Sequence, residues 1–215
     1  MATIFLDLGG TLVDFRPTYH EPIYTVLLKN GYDVSLRDVY RAVSKYLGNE
    51  RLPVVNGNPV IDVNEVLRII GISVDSRTLE ELRTIEFVSI WYTLYHDTLP
   101  FLKALKRMGY RIFLISNASE KINRVISETG ISAYLDGIVA SYRVGKIKPS
   151  ADIFEEGIRL AGERGLYVGD LYEVDYLGSM KAGLSPVLLD RLGFYDDVQA
   201  VKVRSLLDVL RLLGR

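Results

Sequence analysis

The chain has 215 residues, of which 48% are apolar and 25% are charged, with a formal net charge of −1 and no cysteine. A charge this close to zero gives no bulk attraction to nucleic acids or to a membrane surface, and a chain without cysteine has no disulfides and no thiolate metal site. Because it also has neither a signal-peptide pattern nor a run of about 18 apolar residues, we predict a cytoplasmic protein with one domain and a sizeable insertion.

The N-terminal segment predicts a buried strand that ends at a carboxylate. Residues 4–6 are Ile-Phe-Leu, Asp7 follows them, and two glycines then turn the chain. Ligands of open α/β sheets bind at the carboxyl ends of the strands, and the backbone N–H groups of a Gly-Gly-Thr turn can hold an anion. The segment therefore favours Asp7 as a nucleophile, with an anion held at Gly10 and Thr11, unless Asp7 only forms the turn or caps a helix.

The next part of the chain has helical periodicity. Apolar residues recur at helical spacing, which predicts helices near residues 19–27, 36–47, 63–70 and 79–94. Ser35 is a suitable N-cap for the second helix, and the prolines and Asn-Gly-Asn of residues 51–59 predict a loop. Because no convincing strand pattern interrupts these helices, residues 17–96 are predicted to form a compact helical insertion.

Short apolar runs and helical patterns then alternate to the end of the chain. The predicted strands lie near residues 111–115, 137–141, 166–168 and 186–189, with helices of about ten residues between them. This alternation is typical of a parallel sheet covered by helices on both faces. Residues 1–16 and 97–215 are therefore predicted to form an α/β core, a doubly wound parallel sheet of Rossmann type.

Polar side chains follow two more of the predicted strands. Ser116 and Asn117 come directly after residues 113–115, where a hydroxyl and an amide could donate to a phosphate oxygen and to an attacking carboxylate. Lys148 precedes Pro149, which suits the first turn of a helix, so its ammonium group could project over the same site. The alternatives are that Ser116 and Asn117 cap a helix and that Lys148 is a solvated surface residue.

Two carboxylates accompany the strand at residues 166–168. Asp170 stands at its end and Asp175 lies five residues further along the chain. Oxygen ligands of this kind near Asp7 would suit Mg²⁺, a hard cation that binds carboxylates, carbonyls and water. Helix capping is the alternative for each of them.

Together these motifs resemble a known family. Their order along the chain is Asp7 with Gly10-Thr11, then Ser116-Asn117, then Lys148-Pro149, and finally Gly169-Asp170 to Asp175. This order resembles the four motifs of the haloacid dehalogenase superfamily, and the helical insertion looks like the family's cap domain. The resemblance implies a Mg²⁺-dependent phosphatase that acts on a small phosphorylated substrate.

The resemblance also implies a role for each motif. Asp7 would attack phosphorus to give an aspartyl-phosphate, which divides one difficult hydrolysis into two steps. Mg²⁺ would bind Asp7, the backbone carbonyl of Gly9 and Asp170, with Asp175 acting nearby or through water. Ser116 and the turn amides would hold the phosphoryl oxygens, and Lys148 would neutralise the charge between the phosphate and Asp7.

Residue 9 departs from the family pattern Asp-x-Asp-Gly-Thr, because glycine replaces the second aspartate. In the family that carboxylate protonates the leaving group and later activates water, a contribution of typically ~10²–10⁴ in rate. The enzyme would then prefer good leaving groups such as acyl or aryl phosphates, or use Asp14, His20 or Glu21 instead, or catalyse weakly. His20 is the cap-borne candidate for substrate contact.

Two other functions stay open on sequence grounds. The metal-independent 2-haloacid dehalogenases of the superfamily also lack the second aspartate, but they do not usually retain a fourth motif like Asp170 and Asp175. A non-catalytic protein that binds a phosphorylated ligand or a partner is the other alternative. The presence of Asp7, Lys148 and Asp170 argues against this second alternative.

Overall fold

A computed structural model describes residues 2–214 of the chain. The strands are Thr3–Leu6 (β1), Val13–Arg16 (β2), Val54–Val55 (β3), Asn58–Pro59 (β4), Trp91–Leu94 (β5), Arg111–Ser116 (β6), Gly137–Ala140 (β7), Leu166–Gly169 (β8), Ser185–Leu189 (β9) and Lys202–Val203 (β10). The helices are His20–Lys29 (α1), Leu36–Leu47 (α2), Val63–Ile70 (α3), Ser76–Arg83 (α4), Thr98–Arg107 (α5), Ile122–Glu128 (α6), Ser141–Val144 (α7), Ala151–Ala161 (α8), Leu177–Lys181 (α9) and Leu206–Leu213 (α10), with a 3₁₀ turn at Ile131–Tyr134 and a π-helical turn at Tyr172–Tyr176. Among the helices of residues 2–214, none has the length and apolar character needed to cross a membrane.

The central sheet has six parallel strands in the order β10-β9-β8-β1-β6-β7. From β1 the chain first builds one side of the sheet through β6 and β7, and then returns to build the other side through β8, β9 and β10. The reversal of direction falls beside β1, where open α/β sheets bind their ligands. The predicted α/β, Rossmann-like fold is confirmed.

The first strand is apolar on both of its faces because helices cover both faces of the sheet. Ile4 and Leu6 belong to one buried cluster, with helices α5 and α10. Phe5 points to the other face, where it packs with Phe113 and Tyr167 beneath α8. Side chains alternate between faces along a strand, so a continuous apolar run is what a central parallel strand requires.

Residues 20–83, here called the helical segment, pack around a core of their own. The buried side chains of α1, α2, α3 and α4 form this cluster, which Ile147 and Val174 join from the sheet side. Ser35 caps α2 as predicted, because its side chain accepts from the Asp38 N–H while the Asp38 side chain accepts from the Ser35 N–H. The segment therefore has its own hydrophobic core and also packs on the sheet domain.

The predicted fourth helix over residues 79–94 is wrong in its second half. Helix α4 ends at Arg83, and Trp91–Leu94 is a strand that pairs antiparallel with β2, with Val13 opposite Leu94. The β-branched and aromatic residues of this stretch favour a strand once a partner strand is available. The predicted loop at residues 51–59 likewise contains the short β3–β4 hairpin. Both strands of the β2–β5 ribbon flank the helical segment.

Candidate active site

The carboxyl ends of the central strands bring three acidic side chains together. Asp7 follows β1, and its N–H donates to the carbonyl of Val168 in β8 at 2.9 Å, which continues the strand pairing up to the site. One carboxylate oxygen from each of Asp7, Asp170 and Asp175 lies within 4.8 Å of the others. Side chains of the first and fourth predicted motifs therefore lie close together in space.

Lys148 is buried at the centre of this acidic cluster. Its Nζ lies 2.5 Å from Asp7 Oδ1, 2.7 Å from Asp175 Oδ1 and 3.1 Å from the Tyr167 hydroxyl. The residue is only 3% exposed, so these three groups replace its hydration. The surface alternative for Lys148 is therefore wrong.

Asn117 holds the backbone of Lys148. Its Nδ2 donates to the Lys148 carbonyl at 3.0 Å, and its Oδ1 accepts from the Lys148 N–H at 2.7 Å. Both ends of the amide are thus engaged, so Asn117 positions the lysine in this structure. Ser116, the last residue of β6, is buried at the end of the strand next to β1.

Burial, together with the crowding of charges in this cluster, shifts the pKa values of its members. Burial raises the pKa of Asp7 to about 6, with Lys148 opposing the rise and Asp175 adding to it. Burial and the charges of Asp175 and Asp7 raise the pKa of Asp170 well above its usual value. Burial alone would lower the pKa of Lys148, but the two neighbouring carboxylates raise it instead, so the ammonium stays charged.

A divalent cation fits this arrangement. Three crowded carboxylates with one ammonium leave uncompensated negative charge in a buried site, and hard cations prefer such oxygen ligands. Asp7 and Asp170 are the better candidates for direct ligation. Asp175 is already committed, because it also accepts from the Tyr167 hydroxyl at 2.8 Å and from the Leu171 N–H at 3.0 Å.

Residues 8–12 form the turn after the candidate nucleophile, here called the catalytic turn, and its two glycines differ in the side chains that they could be replaced by. Gly10 has φ +75°, and a Cβ there would collide with the Asp170 carboxylate, so only glycine allows this close approach. Gly9 has no such restriction, since a Cβ would sit in ordinary contact with the Phe15 ring at 3.4 Å. The backbone at position 9 therefore has room for a Cβ and does not itself require glycine there.

Gly10 and Thr11, the residues expected to hold an anion in this turn, differ in whether they face the candidate nucleophile. The Gly10 N–H donates to the Val13 carbonyl at 2.9 Å and is therefore occupied within the turn. Thr11 is fully buried, with its Oγ1 3.4 Å from Asp7 Oδ2. The turn places Thr11 beside the candidate nucleophile.

Of the three groups considered as substitutes for the second aspartate, two are engaged by Arg16. Asp14 accepts from Arg16 Nε at 2.8 Å, and Glu21 is paired with the Arg16 Nη1. His20, at the start of α1, is buried, and its burial lowers the pKa to about 4, so the ring is neutral at pH 7. Its ring packs edge-on against Tyr40 at 4.9 Å between centroids.

Tyr40 and Tyr167 are site residues that the sequence did not reveal. The Tyr40 hydroxyl, from helix α2, lies 3.4 Å from the carbonyl of Asp170 and 3.5 Å from its Oδ2. The Tyr167 hydroxyl contacts Lys148 and Asp175 from β8. Tyr40 belongs to the apolar stripe of an amphipathic helix and Tyr167 to a short buried strand, so no local signal separates them from ordinary packing residues.

The chain is similar in sequence to known proteins. The sequence profile of the haloacid dehalogenase-like hydrolase family matches residues 1–183. The chain is 27% identical over 204 residues to the glyceraldehyde 3-phosphate phosphatase of Methanothermobacter thermautotrophicus, covering 88% of this chain and 86% of that protein.

Solved structures with the same fold include enzymes of two kinds. A HAD phosphatase from Thermococcus onnurineus superposes with a TM-score of 0.64 at 23% identity, covering 100% of this chain and 98% of that one. A 2-haloacid dehalogenase from Pseudomonas syringae pv. Tomato superposes with a TM-score of 0.62 at 18% identity, covering 100% and 99%. At these identities the likeness to the two structures establishes the fold alone.

Proposed function

The chain belongs to the haloacid dehalogenase-like hydrolase family, and we propose that it hydrolyses small phosphorylated compounds with Mg²⁺, through an aspartyl-phosphate on Asp7. The observation that carries this proposal is the buried contact of Lys148 with Asp7 inside an acidic cluster. A carboxylate with an ammonium group at its side and two further carboxylates that could hold a cation has the parts that phosphoryl transfer requires, namely positioning and charge neutralisation.

In the first step, Asp7 uses a carboxylate oxygen to form a bond to phosphorus while the bond to the leaving oxygen breaks. Lys148 offsets the negative charge shared by Asp7 and the phosphoryl group, and Asn117 keeps Lys148 in place. Ser116 and the Thr11 N–H hold phosphoryl oxygens. In the second step, water attacks the aspartyl-phosphate, which releases inorganic phosphate and restores Asp7.

Mg²⁺ fits the donors that this chain provides. We propose that Asp7, Asp170 and the carbonyl of Gly9 hold the ion, with Asp175 acting through water. The bound ion supplies positive charge that lowers the repulsion between an anionic nucleophile and an anionic substrate. The assignment is supported by the crowding of these carboxylates in a buried site, where burial first and the neighbouring carboxylates second raise the pKa values of Asp7 and Asp170.

The glycine at position 9 leaves the leaving-group oxygen without its usual proton donor. Asp14 and Glu21 are paired with Arg16, and His20 is neutral and packed on Tyr40. We propose that the enzyme therefore favours phosphates whose leaving groups need little protonation, such as aryl or acyl phosphates.

We also propose that residues 17–96 act as a cap over the site, as the domain division predicted from the sequence implies. Tyr40 reaches Asp170 from this part of the chain, and His20 lies beside Tyr40. A cap in this place would exclude water from Asp7 and select the substrate.

One assay compares this function with its alternatives. Phosphate release from p-nitrophenyl phosphate is measured with Mg²⁺ and with EDTA, in parallel with halide release from 2-chloropropionate. We expect Mg²⁺-dependent phosphate release that Asp7→Asn abolishes, whereas Asp33→Asn, at an exposed position, retains it. Metal-independent halide release would establish the dehalogenase instead, and the absence of both products would favour a binding protein.

A further inference from the structure

Arg191, in the loop after β9, contacts the rear of the catalytic turn. Its Nη2 donates to the carbonyl of Thr11 at 2.9 Å, and its Nε donates to the carbonyl of Gly10 at 3.3 Å. The same guanidinium makes two hydrogen bonds of 2.9 Å to the carboxylate of Asp97. One planar side chain thus binds two consecutive backbone carbonyls and a carboxylate.

The pair of Arg191 and Asp97 is well buried. Asp97 is fully buried, the Arg191 side chain is 14% exposed, and the ring of Tyr95 covers the guanidinium at 4.0 Å. Asp97 also accepts from the Leu206 N–H at 2.8 Å. A buried ion pair with its remaining groups hydrogen-bonded holds a fixed geometry, because either partner alone would be left as an unpaired charge.

The contact with Gly10 determines where the next N–H points. A trans peptide is planar, so the carbonyl of Gly10 and the N–H of Thr11 point in opposite directions. Because the carbonyl faces Arg191, the Thr11 N–H faces away from it. That N–H has no acceptor among residues 2–214, whereas the N–H groups of Gly10 and Leu12 are bonded to Val13 and Leu8.

The Gly10–Thr11 peptide also lies against the candidate chemical groups. Asp170 occupies the position next to the Gly10 Cα where a side chain would otherwise begin, and the Thr11 hydroxyl is 3.4 Å from Asp7 Oδ2. A buried donor with no partner in such a place suits an anionic ligand.

We propose that Arg191 is a positioning residue for phosphoryl transfer: it fixes the Gly10–Thr11 peptide so that the Thr11 N–H binds a phosphoryl oxygen. The proposal rests on the proposed function. Asp97 keeps the guanidinium in register with the turn. Lysine could replace the charge of Arg191 but not the planar fork that reaches the carbonyls and the carboxylate together.

The test compares Arg191→Met and Arg191→Lys with the wild type and with the control Arg111→Met. Arg111 is a suitable control because it also binds a carboxylate and a hydroxyl, those of Glu163 and Thr3, at the opposite end of β6. The readouts are kcat and KM for p-nitrophenyl phosphate, the inhibition constant of inorganic phosphate, and the rise in Tm that phosphate causes at a fixed Mg²⁺ concentration.

For Arg191→Met we expect a phosphate inhibition constant at least about tenfold higher, since a hydrogen bond to a charged ligand is lost. Arg191→Lys should recover much of the Tm while its inhibition constant stays about threefold or more above the wild type. Arg111→Met should change Tm but leave the inhibition constant within about twofold. A purely structural role predicts a lower Tm with unchanged constants in both Arg191 variants, and that result would overturn the proposal.

Two outcomes keep the test decisive. If Arg191→Met does not fold, Arg191→Lys decides by itself, and an inhibition constant equal to that of the wild type overturns the proposal. If the wild type releases no phosphate, the proposed function fails separately. The phosphate-induced rise in Tm then decides: its loss in the Arg191 variants supports the positioning role, and its retention there or its absence from the wild type overturns it.

Discussion

The ion pairs at the carboxyl edge of the sheet are buried, whereas those that Arg37 forms between the helical segment and the sheet domain are exposed to solvent. At the edge, Lys148 and Asp175 are nearly inaccessible to water. At the contact, Arg37 of α2 pairs with Asp196 and Asp197, whose side chains are 67% and 55% exposed. Removing one partner of a buried pair costs about 3–5 kcal/mol, whereas an exposed pair is worth about 0–1 kcal/mol. The chemical groups are therefore fixed before substrate arrives, whereas these exposed ion pairs contribute little to holding the helical segment on the sheet domain.

The second contact of the helical segment depends on shape. The tip of the β3–β4 hairpin places Gly57 against the backbone of Ala118 and Tyr142, and its carbonyl accepts from the Ser141 hydroxyl. Gly57 has φ +81°, and a Cβ there would collide with the Ala118 carbonyl. Ala118 directly follows Ser116 and Asn117, so the hairpin rests on the loop that carries part of the candidate site.

The largest expected effect comes from removing the buried cation. Lys148→Met should reduce turnover of p-nitrophenyl phosphate by at least about 10³, because the positive charge that offsets the repulsion between Asp7 and the phosphoryl group would be lost. The metal-free protein should also lose about 3–5 kcal/mol of unfolding free energy in urea. Lys146→Met, at an exposed position two residues earlier, is the control. A Lys148→Met variant that keeps a tenth of wild-type turnover would contradict the proposed charge neutralisation by Lys148.

Restoring the missing carboxylate at the carboxyl edge of the sheet should raise activity. Gly9→Asp should raise kcat on alkyl phosphates such as phosphoglycolate by about 10- to 100-fold, since general acid–base catalysis is typically worth ~10²–10⁴. The gain should be smaller on p-nitrophenyl phosphate, whose leaving group needs little protonation. Gly10→Asp is the contrasting variant and should be inactive, because its Cβ collides with Asp170. No gain in Gly9→Asp, with Mg²⁺ binding intact, would refute this account of residue 9.

Mg²⁺ affinity should depend on pH in a defined direction. Since the pKa of Asp7 in the metal-free protein is about 6, the carboxylate is mostly protonated below that pH and must release its proton to bind the ion. Affinity should therefore fall by at least about tenfold per unit below pH 6, and the raised pKa of Asp170, the other proposed carboxylate ligand, adds to the fall. Calorimetric titration at several pH values measures this. An affinity that is constant from pH 5 to pH 7 would mean that Asp7 is not a ligand.

The smallest effect is expected at the hairpin contact. Gly57→Ala should raise KM by about three- to tenfold with little change in kcat, because packing of the proposed cap on the sheet domain is disfavoured while Asp7 and Lys148 are untouched. Gly31→Ala is the matched control, since Gly31 also has positive φ but no atom within 4 Å of its Cβ position. Equal effects of the two variants would assign the change to backbone strain rather than to docking.

The sequence predicted the fold and the placement of the acidic groups because each candidate followed an apolar run that the sheet had to bury. Asp7, Ser116 and Asp170 needed only the rule that parallel strands end at one edge. Tyr40 and Arg191 could not be found in this way, since their partners lie far along the chain and their own surroundings look ordinary. Tyr40 sits in an amphipathic helix, and Arg191 in a loop.

Residues 85–94 show a different limit of sequence reasoning. Their apolar and aromatic residues match a helical period about as well as a strand, and the periodicity alone predicted a helix. The outcome depends on β2, which provides a pairing edge nearly 80 residues earlier in the chain. Local pattern could not contain that information.

The β2–β5 ribbon begins where the catalytic turn ends. The carbonyl of Leu12 accepts from the Thr98 hydroxyl at 2.7 Å and from the Tyr95 N–H at 3.2 Å, so both arms of the ribbon are anchored on the same residue. A paired ribbon resists bending more than two separate linkers would. It therefore connects the helical segment firmly to the loop that follows Asp7. A displacement of the helical segment is therefore expected to shift the loop that follows Asp7 as well, so the two parts of the molecule are mechanically coupled.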